Sequence, residues 1–205
     1  MTDNELVCRA AAGDRDALSE LLDRCGQALA RRVEREIGPR WRGALDVDDV
    51  LQVTYLEAFL QTERLLARDA RSFFAWLVRI ALNNLRDAIR GLESERRPPL
   101  HRRLPDPGHA DPCHALLNML SASATTPSRV AAGGELKGLL QAALARLPRD
   151  YAEVIRLFDL EGLSAREVGR RMGRSRGAIH MLRARAIQRL REFLGSGSKF
   201  FSDVT

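Results

Sequence analysis

Apolar positions in the first hundred residues recur at intervals of three and four, the spacing of one face of an α-helix. They predict helices over residues 4–12 and 16–37, broken at Gly13 and at Gly38-Pro39. A third helix is expected over about 47–66, opened by Asp46 as N-cap, and a fourth starting after Ser72 and running to about Arg90 or beyond. The same period returns over 135–146, 149–160, 165–172 and 176–194, with breaks at Pro148, Gly162 and Gly173. No pair of alternating strands joined by a hairpin turn is found in the sequence. Residues 96–134 are different, holding six of the eight prolines among clustered Ser, Thr and Gly. They read as a linker, with one short helical turn at 114–120. The expected architecture is all-α, with two small helical domains over 1–97 and 135–195, a flexible linker over 98–134 and a tail over 196–205.

Composition narrows this picture. Aromatic residues make up 5% of the chain, so the core must be aliphatic. No apolar run approaches the roughly 18 residues of a membrane span, and residues 1–14 lack a signal-peptide pattern. Three widely spaced cysteines (Cys8, Cys25 and Cys113) exclude a disulfide scaffold and fit a reducing cytoplasm. The net charge of +6 is unevenly distributed. Residues 1–67 carry −4, 68–103 carry +5, 104–163 carry −2 and 164–194 carry +7. Two separate basic segments point to a polyanion touched at two places.

The second basic segment carries the clearest motif. Ser164 and Glu167 have the S-x-x-E spacing of a capping box, Gly173 supplies a tight turn, and Ser175 can cap the helix that follows. In that helix Ile179, Leu182, Ala186, Leu190 and Phe193 make one buried stripe. The opposite face presents Gly177, His180, Met181, Ala184 and Gln188, flanked by Arg174 and Arg185. This is a helix-turn-helix, whose second helix enters the major groove by its N-terminal half. Gly177 and Ala184 leave room for close approach, and Arg can grip a guanine edge or a phosphate.

In the first basic segment Phe73, Leu77, Ile80, Ala81 and Ala88 form a core stripe. On another face Trp76, Arg79, Asn83, Arg86 and Arg90 make a cationic ridge with an indole at its edge, suited to unpaired bases and their phosphates. The helix before it has two apolar stripes, Val47/Leu51/Tyr55/Ala58 and Val53/Leu56/Leu60, the second adjoining Asp49 and Gln52. A helix apolar on both faces is either sandwiched or offers a surface to a partner.

These constellations, in this order across a linker, resemble the extracytoplasmic-function (group 4) sigma-70 family. Residues 46–59, DVDDVLQVTYLEAF, are similar to the D-x-x-Q-x-T-[FY]-x-x-A-[FW] stretch of its conserved region 2, matched at Asp49, Gln52, Thr54, Tyr55, Ala58 and Phe59. Residues 73–90, FFAWLVRIALNNLRDAIR, are similar to its F-x-x-W-L-x-x-I-A-x-N-x-x-x-D-x-x-R stretch, and residues 144–192 are similar to region 4. The resemblance implies a promoter-specificity subunit without catalytic residues, metal or cofactor. Region 2 would bind the β′ clamp helices of core RNA polymerase through Asp49 and Gln52, with Val53 and Leu56 beside them. It would hold the melted −10 element on Trp76, Arg79, Asn83, Arg86 and Arg90 and on the loop 62–72. Region 4 would read the −35 duplex through Arg174, Ser175, Arg176, His180, Met181, Ala184 and Arg185, and bind the β flap. The linker would thread toward the active-centre and RNA-exit channels. Promoter DNA and polymerase are the implied partners, an anti-sigma factor is admitted, and a membrane is not.

Two rivals fit parts of the pattern. A stand-alone helix-turn-helix regulator would bind an operator without polymerase, usually at a palindrome. A metal-dependent enzyme would have to use His101, His109, Cys113 and His114, which lack a C-x-x-C pair or an H-E-x-x-H helix.

Overall fold

A computed structural model describes residues 1–62, 65, 67, 69–96, 113, 116, 120 and 133–197. The described residues are helical and contain no strand. They form two compact units, one of residues 1–93 together with 173–181, the other of the described residues in 94–172 and 182–197.

In the first unit, α1 (Asp3–Ala11) starts with a capping box. The Thr2 amide donates to the Glu5 carboxylate at 2.8 Å and the Glu5 amide to Thr2 Oγ1 at 3.3 Å. Gly13, at φ +94°, turns the chain where a side chain would be strained. Asp14 then caps α2 (Arg15–Glu36), its Oδ1 accepting the amides of Asp16 and Ala17 at 3.0 Å. A 3₁₀ turn, Pro39–Trp41, follows and buries Trp41. Asp46 caps α3 (Val47–Leu60), as its position before the periodic segment predicts. In α4 (Ala70–Arg96), the Ser72 amide donates to the Asp69 carboxylate at 2.8 Å near the start. α1 packs on α2, and α2 on α3. The predicted stripe of α4, Phe73, Leu77, Ile80, Ala81 and Ala88, is buried throughout.

The period of α3 differs from the expectation. The helix ends at Leu60 rather than near 66, and its buried face is Val50, Val53, Thr54, Glu57 and Ala58, which matches neither predicted stripe. Two polar residues occupy core positions there, which hid the phase. Thr54 Oγ1 donates to the Val50 carbonyl at 2.7 Å and accepts from Asn84 Nδ2 at 3.2 Å, while Glu57 accepts from Gln61 Nε2 at 2.6 Å. Tyr55 is half-buried and donates to the Leu22 carbonyl at 3.5 Å. Burial, with the nearby Asp23 charge, pushes its hydroxyl above the ordinary tyrosine pKa.

In the second unit, α5 (Gly133–Ala145) and α6 (Arg149–Ile155) precede a π-helical turn, Arg156–Leu160. The sequence predicts one uninterrupted helix over 149–160; the wider turn brings both Phe158 and Asp159 within reach of Arg183. Arg183 Nε lies 3.0 Å from each Asp159 carboxylate oxygen, its Nη2 lies 2.6 Å from Oδ1, and its guanidinium stacks 4.8 Å above the Phe158 ring. α7 (Ala165–Met172) begins with the predicted Ser164–Glu167 capping box. α8 (Arg176–Gly197) buries Leu182, Ala186 and Leu190 in this unit, as predicted, with Phe193 half-buried under Arg146.

Of the linker, Cys113, Leu116 and Leu120 are described; all three are helical, in keeping with the turn expected there, and both leucines are buried. His101, His109, His114 and the tail beyond 197 lie outside the described residues, as does part of the loop 62–72. Among the described residues, no helix is long and apolar enough to cross a membrane.

Candidate nucleic-acid interface

The ridge on α4 emerges from the helix phase as the sequence predicts. With Phe73, Leu77, Ile80 and Ala81 turned into the core, Arg79, Asn83, Arg86 and Arg90 are left exposed along one side. Trp76 is half-buried, its ring tilted 45° to Phe73 with centroids 5.7 Å apart, so the core ring steadies the surface indole. Arg86 Nη1 donates to Asn83 Oδ1 at 3.0 Å, and Arg90 lies 3.8 Å from Asp87. The result is a row of guanidinium groups beside a flat aromatic surface, a combination that can pair phosphates and stack bases.

On α3, Gln52 is exposed and Leu56 half-buried, as a partner surface requires. Val53 departs from the expectation: it is 4% exposed, inside the core. The buried Thr54–Asn84 pair sets the helix phase and carries Val53 inward with it, so Val53 is corrected to a packing residue.

Asp49 has a different setting from the one predicted. Its Oδ2 accepts the Ser175 amide at 2.8 Å, and its Oδ1 lies 3.7 Å from Arg174 Nη1. Ser175 still caps α8 as predicted, Oγ accepting the Ala178 amide at 3.2 Å. The Gly177 amide donates to the Ala44 carbonyl at 3.1 Å. Gly177 is buried against Leu45, and Gly91 lies against the His180 ring; a Cβ at either glycine would collide with its neighbour. Arg176 is exposed, while His180, Ala184 and Arg185 are half-buried, Arg185 donating to Gln188 at 3.1 Å. Met181, expected on the open face, is completely buried within the first unit and is corrected to a packing residue. The start of α8 is covered on two sides, which a one-stripe reading of its sequence could not anticipate.

The structure thus brings together Asp49, Arg174 and Ser175, which sequence reasoning assigned to separate tasks. It also adds Ala44, Leu45 and Gly91, which that reasoning missed. The signal in the sequence is the glycine pair: a glycine within a helical pattern marks close approach of something, and Gly91 and Gly177 both carry it.

The family model described as Sigma-70 region 2 matches residues 27–95, and that described as Sigma-70, region 4 matches residues 137–190. The chain is 30% identical over 187 residues to the ECF RNA polymerase sigma factor SigD of Mycobacterium tuberculosis, covering 91% of this chain and 81% of SigD. It belongs to the sigma-70 family of RNA polymerase sigma factors, in the extracytoplasmic-function group. It is also 29% identical over 183 residues to the RNA polymerase sigma factor CarQ of Myxococcus xanthus, covering 89% of this chain and 92% of CarQ. A solved structure of CnrH in complex with the cytosolic domain of CnrY matches at 27% identity and a TM-score of 0.33, over 95% of this chain and 97% of that one. The ridge, Gln52 and Asp49 fall within the region 2 match, and the capped helix-turn-helix within the region 4 match.

Proposed function

We propose that this sigma factor binds core RNA polymerase and directs it to promoters by reading a −35 duplex and a melted −10 strand. Region 2 is assigned to 1–97, the linker to 98–134, region 4 to 135–195 and the tail to 196–205. Asp49, Gln52 and Leu56 face the β′ clamp helices. Trp76, Arg79, Asn83, Arg86 and Arg90 hold the opened strand. Arg174, Ser175, Arg176, His180, Ala184 and Arg185 read the duplex, and region 4 also meets the β flap. The chain performs no covalent chemistry and works in the cytoplasm, where polymerase and promoter are. An anti-sigma factor is the class of regulator this reading admits.

The observation that supports this most is the exposed Arg79–Asn83–Arg86–Arg90 row beside Trp76 in the region 2 match. A stand-alone regulator has no use for a surface suited to unpaired bases. Extruding a base costs a few kcal/mol of stacking. A cationic row with an aromatic edge offsets that cost in the open state and contributes less in the closed one. Two modest sites on one chain raise each other's effective concentration once both are engaged.

Run-off transcription with core polymerase on a genomic fragment library, with and without this chain, is the test. Chain-dependent transcripts from a defined set of fragments are expected. Binding to an operator without polymerase, together with no association with core, would establish the stand-alone regulator instead.

A further inference from the structure

The spacing of the α4 ridge does not stop at Arg90. Its next position is Glu93, a half-buried carboxylate at the end of the row. Glu93 Oε1 accepts from Arg40 Nη2 and pairs with its charge, so a guanidinium from the Pro39–Trp41 turn is brought to the end of the ridge across 53 positions of sequence. The same guanidinium stacks 4.4 Å above the ring of Trp41, which is 4% exposed and so makes a rigid platform. Arg40 is held from two directions, yet 60% of its side chain remains in water. Among the described residues Glu93 is its one acceptor, and it engages Nη2 alone, leaving the other donors of the fork. A solvated ion pair of this kind adds little to stability. What it does provide is a cation whose place and plane are set before any ligand arrives, which lowers the ordering cost of binding.

The two ends of α4 differ in chemistry. At the first, the half-buried Trp76 offers part of its ring to a base. At the second, the nearby ring is Trp41, buried beneath Arg40 and closed to a base, so the end presents charge rather than a stacking surface. Positions 76 and 93 stand about 25 Å apart along a helix, the rise of about seven nucleotides in a paired strand. Resting on the function proposed above, we infer that Arg40, held by Glu93 and Trp41, is a clamp for one backbone phosphate of the paired DNA beside the opened −10 strand. It carries the ridge beyond the unpaired segment. It positions rather than reads, because a phosphate holds no base identity. Its contribution is made before and after opening alike, whereas the ridge acts mainly on the open state.

The test uses core polymerase, the full chain and a promoter fragment taken from the run-off assay. Arg40→Gln keeps most of the side chain and removes the charge. It should weaken promoter binding several-fold at moderate salt and lower the salt slope by about one unit, with permanganate reactivity of the bound promoter unchanged. Glu93→Gln should bind at least as tightly as wild type, because it removes a negative charge from beside the phosphate. Neutral methylphosphonate linkages, placed singly across the −10 element and the paired DNA on both sides, locate the contact. One linkage in the paired DNA should weaken wild type and have no further effect on Arg40→Gln. Urea midpoints check the fold of both variants. An ion pair that serves only the fold would lose alike from either side, so equal weakening by Arg40→Gln and Glu93→Gln would overturn the clamp. So would a shared linkage that falls inside the melted strand. Chain-dependent transcripts with no linkage at which the two proteins differ would overturn the clamp alone. No chain-dependent transcript and no binding to core would remove the sigma-factor reading, and the clamp with it.

Discussion

Asn84 Nδ2 donates to Thr54 Oγ1 across the interior of the first unit, 3.2 Å apart, with both residues at 0% exposure. A buried polar pair costs little while satisfied and much when one half is removed. Asn84→Leu should therefore destabilise the protein by about 1–3 kcal/mol, through the lost bond to Thr54 and the change of shape. Thr54→Val should cost a comparable amount, because it takes an acceptor from the buried Asn84 amide and removes the hydroxyl's own bond to the Val50 carbonyl. The double variant should cost less than the sum, and urea denaturation of the four proteins of the cycle measures the coupling.

That pair also fixes which residues of α3 face outward. Val53→Ala should lower stability by roughly 1–3 kcal/mol and leave affinity for core polymerase unchanged once the protein is folded. Gln52→Ala, on the exposed side, should do the reverse, weakening polymerase binding without moving the urea midpoint. Native affinity measurements beside denaturation curves separate the two, and a Val53→Ala protein that folds normally but fails on polymerase would restore Val53 to the surface.

The contrast explains how far the sequence could be read. The stripe of α4 was legible, because Phe73, Leu77, Ile80, Ala81 and Ala88 recur at helical spacing while Arg79, Asn83, Arg86 and Arg90 fall together on another side; the buried Asn84 was not. α7 and α8 were legible because Ser164, Glu167, Gly173 and Ser175 mark their ends by hydrogen-bonding chemistry that is local in sequence. α3 was not, because Thr54 and Glu57 are buried through partners that a periodic pattern does not contain. The π-helical turn at Arg156–Leu160 was hidden too, since its distinguishing contact, Asp159 with Arg183, spans 24 positions. The seat of α8 on Ala44, Leu45 and Asp49 joins residues more than 120 apart: the Ser175–Asp49 bond spans 126 positions. No local spacing could reveal it.

The exposed ridge yields a prediction about strand opening. Arg86→Ala removes one cation and frees Asn83 Oδ1 from its 3.0 Å bond. Each lost phosphate contact should lower the salt dependence of promoter binding by about one unit of slope. The larger effect should fall on the open state. Permanganate reactivity of thymines around the −10 element should decline for Arg86→Ala and Asn83→Ala, while polymerase recruitment to the closed promoter is largely kept. Equal loss of both steps would move the ridge from strand capture to general DNA binding.

Acid should attack the helix starts first. The Ser164 hydroxyl and amide hold the Glu167 carboxyl below its ordinary pKa, and the Thr2 amide, followed by its hydroxyl, does the same for Glu5. Asp14 is lowered as well, by the Ala17 amide first and Arg9 second. In each case the folded value lies beneath the unfolded one. The contribution is therefore fully present above the ordinary carboxylate range and is lost as pH falls through that range to the folded values. Glu167→Gln keeps the hydrogen-bonding shape of the capping box but has no proton to take up. Its urea midpoint should sit slightly below wild type at neutral pH and change less on acidification. Measuring both midpoints across the acidic range checks this. Parallel decline of the two proteins would show that Glu167 titrates alike in the folded and unfolded chain, and that its bonds to Ser164 do not persist in solution.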